Sequence, residues 1–182
     1  MRKKSIEPPR YRPPVPLVRG PRNNKGKGEL AELAFLYKAS GLGFGVAKPY
    51  GDNERYDFIL DSGERFWRVQ VRSTSGIAKG RSCYIVASRR GHSPNFKAYQ
   101  AGEIDFFVVY IVPLDVWYVV PVGEIGALHY LRLYPSGCRG GGLFESCREA
   151  WHLMVPGADV IPQHQGLRRV RAIDLHRKFF VE

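Results

Sequence analysis

The segment from Glu54 to Ser75, ERYDFILDSGERFWRVQVRSTS, constrains this chain more than any other. It holds two runs rich in aromatic and branched residues, Tyr56 to Leu60 and Arg65 to Arg72, separated by the turn formers Asp61-Ser62-Gly63-Glu64. Such a pattern predicts a β-hairpin. Side chains of a strand alternate between its faces, so Phe66, Arg68, Gln70 and Arg72 share one face and Trp67, Val69 and Val71 the other. A carboxamide and a guanidinium then point the same way, about 7 Å apart. In the first run Asp57 is the only acid among Tyr56, Phe58, Ile59 and Leu60, where a carboxylate is costly unless a cation or donor satisfies it. Its partner is either Arg55 or Arg72 in a purely structural pair, or a bound cation. An acid on one strand facing an acceptor and a fixed charge on the next suits a metal-dependent phosphodiesterase site.

These residues carry a resemblance. Lys27-Gly28-Glu29-Leu30-Ala31-Glu32, Gly51-Asp52-Asn53-Glu54-Arg55-Tyr56-Asp57 and Gln70-Val71-Arg72-Ser73-Thr74 resemble the KGxxxE, GDNxRYD and QVKT blocks of the group I intron-associated homing endonucleases. Those enzymes belong to the PD-(D/E)XK, or restriction-endonuclease-like, superfamily. The likeness is strong from about Lys25 to Ser75 and continues more weakly to about Trp151. It implies an α/β fold, an αβββαβ core with a central mixed β-sheet, and a site at a splayed sheet edge. It also implies cleavage of double-stranded DNA by a homo-oligomer, a dimer or tetramer, because one site cuts one strand.

The resemblance assigns catalytic positions to Glu32, Asp57, Gln70 and Arg72. Asp57, the Val71 backbone carbonyl and Glu32 are the expected metal ligands, with Glu29 as the alternative to Glu32. Hard oxygen donors of this kind suit Mg²⁺, with Mn²⁺ as the alternative. Arg72 departs from the pattern, which has lysine there. Arginine keeps its charge at any ordinary pH, so it can hold a phosphate or a transition state but cannot serve as a general base. Candidate DNA contacts are Arg55, Ser73, Arg89 and Arg90. Two other readings share this core: a DNA-binding protein whose catalysis is weakened or lost, and a structure-specific nuclease of the Holliday-junction-resolvase type.

Charge agrees with a polyanionic partner. The formal net charge is +11 over 182 residues, and the pI is about 9.8. Residues 1–27 carry nine Lys or Arg, one acid and six prolines, which predicts a disordered basic arm over 1–25 that either tracks DNA or only solubilises the chain. A domain over 26–155 and a basic tail over 156–182 follow. No apolar run approaches the roughly 18 residues of a membrane span. No signal peptide is visible, and the expected location is cytoplasmic.

Elsewhere the pattern predicts a helix from Gly28 to about Ala39 with Leu30, Leu33, Ala34 and Tyr37 on its apolar face, closed by Gly41-Leu42-Gly43. Phe44 to Lys48 and Ser82 to Ala87 read as strands, Ser88 to Ser93 as a basic loop and Asn95 to Gly102 as a short helix. Asp105 to Val112 and Val116 to Val122 read as a strand pair joined at Pro113-Leu114-Asp115, with Asp105 in a turn before the first. Glu145 to His152 reads as a helix that packs through Trp151. Cys138, Cys147 and His152 do not make a closed four-ligand zinc set. The glycine-rich 136–142 lacks the Lys-Ser/Thr of a nucleotide-binding loop.

Overall fold

A computed structural model of the chain describes residues 23–51, 53–78, 82–90, 97–138 and 141–155. Residues 1–22 of the basic arm, the basic tail, Asp52 and His92 lie outside the described residues, and the last residues expected to be disordered, Asn24 and Lys25, instead belong to the first helix, which Asn23 caps.

Helix α1 spans Asn24–Gly41. It begins four residues earlier than the apolar periodicity suggests, because the Asn23 side chain accepts the Gly26 N–H at 2.8 Å and caps it there. It ends in a Schellman arrangement: Gly43 is at φ +91°, its N–H bonds Ser40 O at 3.0 Å, and Phe44 N–H bonds Ala39 O at 3.1 Å. The expected apolar face is corrected. Ala31, Phe35 and Ala39 are the buried positions, whereas Leu30 is 52%, Leu33 60% and Tyr37 84% exposed. The physical reason is shape. Phe35 fits between Phe58, Trp151 and Trp117, at ring separations of 5.0, 6.0 and 6.2 Å, and the small alanines one turn to either side let the helix approach the sheet closely.

The central sheet has five strands, in the spatial order Gly45–Ala47, Phe58–Asp61, Phe66–Thr74, Phe106–Ile111 and Val116–Pro121. Its first three strands, β1 (Gly45–Ala47), β2 (Phe58–Asp61) and β3 (Phe66–Thr74), form the antiparallel meander. The turn between β2 and β3 uses Gly63 at φ +89°, a conformation that favours glycine. Ser62 N–H closes the turn on Arg65 O at 3.0 Å.

Between the meander and the next sheet strand come β4 (Tyr84–Ala87), β5 (Arg89–Arg90) and β6 (Lys97–Ala98). The helix expected over Asn95 to Gly102 does not form in its described part. Lys97 and Ala98 pair with Arg90 and Arg89 instead, and the chain then turns, with Glu103 N–H on Gln100 O at 3.0 Å and Gly102 at φ +100°. A segment with a strand at one end and a positive-φ glycine at the other has no room for helical turns. The connection still delivers β7 (Phe106–Ile111) parallel to β3, Gln70 opposite Phe107 and Arg72 opposite Val109. β8 (Val116–Pro121) returns antiparallel through a 3₁₀ turn at Val112–Leu114. Then follow a single helical turn, α2 (Val122–Ile125), and β9 (Tyr130–Leu133), which pairs with β4.

Alternation divides the core. Val69, Val71, Phe106, Val108, Trp117 and Val119 pack toward α1, while Phe107, Val109, Tyr118 and Val120 pack under Tyr84, Val86, Leu131 and Leu133 of β4 and β9. The sheet is thus a middle layer, a mixed α/β arrangement. The expected helix over Glu145 to His152 is two 3₁₀ turns, Glu145–Cys147 and Trp151–Met154. Glu149 between them sits at φ +49°; its N–H bonds Trp117 O and its carboxylate accepts Trp117 N–H, both at 2.8 Å. Bonding to the β8 backbone interrupts the helix. Trp151 is buried in the core as expected.

Candidate active site

Asp57 immediately precedes β2, and its N–H bonds Val69 O at 2.9 Å. Phe58 is the register partner of Val69, so the ladder runs on by one pair and sets Asp57 against Gln70. Asp57 Oδ2 accepts the Val71 N–H at 2.8 Å and a hydrogen bond from Gln70 Nε2. Gln70 Nε2 also faces Val71 O at 3.3 Å. Arg72 lies alongside, with Nη1 3.0 Å from Val71 O and 3.9 Å from Asp57 Oδ2. The hairpin therefore brings together all four of Asp57, Gln70, Val71 and Arg72.

Burial pushes the Asp57 carboxyl above its usual range. The Val71 N–H, the Arg72 charge and the Gln70 amide work in the opposite direction, and the negative charge of Glu32 adds to the rise. Gln70 is 4% exposed and, with Ser88, is one of two buried polar residues among the described residues.

Glu32 comes from α1. It lines a cleft of about 810 Å³ together with Val71, Arg72, Ser73 and Lys27, and its Oε2 accepts Lys48 Nζ at 2.7 Å. Glu29 is not among the residues of that cleft and lines a neighbouring depression. Of the two glutamates, Glu32 alone lines the cleft that Val71 and Arg72 also line, and both line the neighbouring depression. Ser73 faces the cleft as well, and Arg55 is exposed. Arg89 lies against the Tyr130 ring, 4.5 Å from its centroid, and bonds its hydroxyl. Arg90 contributes its backbone to β5.

Two residues escaped the sequence reading. Tyr99 donates its hydroxyl to Gln70 Oε1 at 3.2 Å and accepts from Arg72 Nη2 at 3.1 Å; nothing in its own surroundings in the chain marks it. Lys48 was legible only as the end of a strand. No group of three or more His, Cys, Asp or Glu that could hold a metal occurs among the described residues.

Arg68 shares the face of Gln70 but is engaged elsewhere. Its Nη2 and Nε lie 3.0 and 3.1 Å from the Asp105 oxygens, and its backbone N–H reaches Asp105 Oδ2 at 2.8 Å. Burial opposes ionisation of Asp105, but these hydrogen bonds and the Arg68 charge hold its pKa below the usual value. A depressed carboxyl contributes stability above its unfolded pKa and loses it as pH falls through the folded one. Asp105→Asn is therefore expected to cost about 1–2 kcal/mol near neutral pH, allowing for the partial exposure of the pair. Thermal melts between pH 7 and pH 2 should show the wild type converging on the variant as the acid limb is reached.

A nuclease class follows from this arrangement of meander, parallel fourth strand and acid-amide-cation site. The sequence profile of the PD-(D/E)XK endonuclease family matches residues 22–153, and the chain belongs to that family. Among solved structures it is similar to the bacterial homing endonuclease I-Ssp6803I, at 33% identity and a TM-score of 0.63, over 72% of this chain and 93% of that one. The Holliday junction resolvase Hjc of Archaeoglobus fulgidus also aligns, at 14% identity and a TM-score of 0.39, over 60% of this chain and 85% of that one. No curated protein matches the chain. No helix of the described residues is long and apolar enough to cross a membrane.

Proposed function

We propose that this protein is a sequence-specific homing endonuclease that hydrolyses phosphodiester bonds of double-stranded DNA with Mg²⁺ or Mn²⁺. The observation that carries this reading is the convergence of the Asp57 carboxylate, the Val71 carbonyl and the Gln70 amide beside the Arg72 charge. Similarity to the bacterial homing endonuclease I-Ssp6803I supports the homing character, and the association with an intron rests on the resemblance of the hairpin blocks alone.

The donor set fits a hard divalent ion. Asp57 and the Val71 carbonyl offer oxygen, the amide of Gln70 has an oxygen to offer, and Glu32 shares a cleft with Val71 and lies near enough to Asp57 for its charge to act on that carboxyl. With Gln70 in place of a second carboxylate, the pocket has less negative charge for the ion, and the DNA phosphate and Glu32 make up the difference. When bound, such an ion supplies Lewis acidity and a more acidic water.

The chain's own groups do the rest. Arg72 presents a permanent positive charge to the scissile phosphate and to the charge that accumulates on it. Glu32, held by Lys48, borders the space from which water approaches and can accept a proton at its free oxygen. Hydrolysis forms one P–O bond from the water oxygen and breaks another, leaving a phosphate monoester and a hydroxyl. A duplex cut takes two such events, which favours a homo-oligomer with two sites. The +11 charge supports a DNA partner.

The test is digestion of genomic and plasmid DNA with Mg²⁺, beside four-way junctions and a chelated control. Discrete fragments that vanish with chelator support the reading. Junction-only cleavage would replace it with a resolvase, and binding without cleavage would make the arginine at position 72 the mark of a silenced site.

A thermal consequence follows as well. Because burial raises the Asp57 pKa, its contribution to stability is present below its unfolded pKa and is lost as pH rises through the folded value. Asp57→Asn should therefore melt higher than the wild type in chelator at pH 7 to 8. Mg²⁺ should reverse that order, stabilising the wild type by about 2.7 kcal/mol at a hundred times its Kd and leaving Asp57→Asn unmoved. Scanning calorimetry with and without chelator checks both signs.

A further inference from the structure

Tyr99 lies in the connection between β6 and β7, 4% exposed, its ring tilted against Phe107 with centroids 5.7 Å apart. Its hydroxyl stands between two residues of the site, as donor to Gln70 Oε1 and acceptor from Arg72 Nη2. We infer that Tyr99 is a positioning residue, which sets the end of the Gln70 amide that faces Asp57 and ties that choice to the Arg72 guanidinium. The inference rests on the nuclease reading above and goes beyond it, since the hairpin blocks end at Thr74 and the family resemblance assigns no role to position 99.

The two ends of a carboxamide are chemically unlike. A half-turn about the last side-chain bond of Gln70 exchanges an acceptor, Oε1, for a double donor, Nε2. In the orientation seen here Nε2 stands between Asp57 Oδ2 and Val71 O, and Oε1 is met by the tyrosine hydroxyl. Two acceptors with a donor between them are stable without a cation. A cation beside those same oxygens is repelled by N–H groups and attracted by Oε1, so it favours the turned amide. Nε2 then needs an acceptor where Oε1 now has a donor.

A hydroxyl meets both demands, because it carries one donor and two acceptor lone pairs and rotates about its C–O bond. Phenylalanine meets neither, and it also leaves Arg72 Nη2 without this partner. Buried polar atoms without partners are costly in either orientation. Tyr99 thus permits the amide to serve the empty and the loaded site while the guanidinium stays in place. Groups that orient metal ligands from behind commonly change metal affinity or activity by about 10–100-fold when removed.

The test uses the full chain and the variant Tyr99→Phe, which keeps the ring and its contact with Phe107. Mg²⁺ binding is measured by titration calorimetry, and the expected result is a weakening of about tenfold. In a Gln70→Glu background the same substitution should weaken binding by less than about twofold, because a carboxylate presents oxygen whichever way it turns. In parallel, ¹⁵N NMR of the Arg72 guanidinium in metal-free protein should show slow rotation of Nη2 in the wild type and faster rotation in Tyr99→Phe. In DNA cleavage, kcat should fall about tenfold with KM for DNA unchanged.

Equal weakening of Mg²⁺ binding in both backgrounds would overturn the inference, since it would indicate a general loss of packing. Unchanged Arg72 rotation would overturn it too. If the wild type binds neither Mg²⁺ nor Mn²⁺, the metal-dependent nuclease reading fails, and the guanidinium signal decides the role of Tyr99 by itself.

Discussion

Asp57→Ala should reduce DNA cleavage by about 10⁴-fold or more, the rate equivalent of the several kcal/mol that a metal-assisted site supplies. The carboxylate is the one strongly anionic group in the hairpin site, and it organises the others: Val71 N–H and Gln70 Nε2 both end on Oδ2, and Arg72 Nη1 stands 3.9 Å away. Its removal takes away both the charge that holds a cation and the acceptor that aligns Gln70. DNA binding should move the other way. In metal-free buffer a half-buried carboxylate beside a phosphate is repulsive, so Asp57→Ala should bind duplex as tightly as the wild type or slightly more tightly. Single-turnover cleavage with Mg²⁺, alongside duplex binding in chelator, separates the two effects. Wild-type cleavage by the alanine variant would mean that the ester is cut somewhere else on the protein.

Arg72→Lys should slow cleavage by about 10- to 100-fold, and Arg72→Ala by about 10²–10³-fold, the usual range for losing one preorganised electrostatic contact. The family pattern has lysine at this place, which would suggest that restoring it speeds the reaction. The geometry points the other way. The guanidinium reaches Val71 O at 3.0 Å with Nη1 and the Tyr99 hydroxyl at 3.1 Å with Nη2, with Asp57 beside it. A planar fork holds two such acceptors at once, and a single ammonium on a flexible stem does not. The pH profiles should also differ. Arginine adds no ionisation below pH 10, whereas the lysine variant can gain a limb from loss of its proton. A faster lysine variant would show that the arginine is an ill-fitting replacement in this pocket.

The hairpin was readable because its information is local. Period-two alternation from Phe66 to Arg72, a glycine suited to φ +89° at position 63 and one acid in an apolar run were enough to set Asp57 against Gln70. The strand pair after Asp105 was readable for the same reason, and Asp115 at φ +50° marks the turn between its strands. The apolar face of α1 was misread. Counting leucines favoured Leu30 and Leu33, but the aromatic pocket formed by Phe58, Trp117 and Trp151 selects Phe35, and alanine one turn to either side. The helices expected near residues 95–102 and 145–152 were lost to backbone partners outside the segments themselves: the nearby β5 in one case and Trp117 of β8 in the other.

The sequence by itself determined the hairpin, the pairing of an acid with an amide and a cation, and the basic character of the chain, because turn chemistry, strand period and charge act over a few residues. Only the tertiary structure decided that Glu32 and not Glu29 borders the cleft, that Asp105 is held by Arg68, and that Tyr99 reaches both Gln70 and Arg72. The Arg68–Asp105 pair alone joins residues 37 apart in the chain. These contacts depend on how α1 and the β6–β7 connection settle against the sheet, which packing fixes and local pattern does not record.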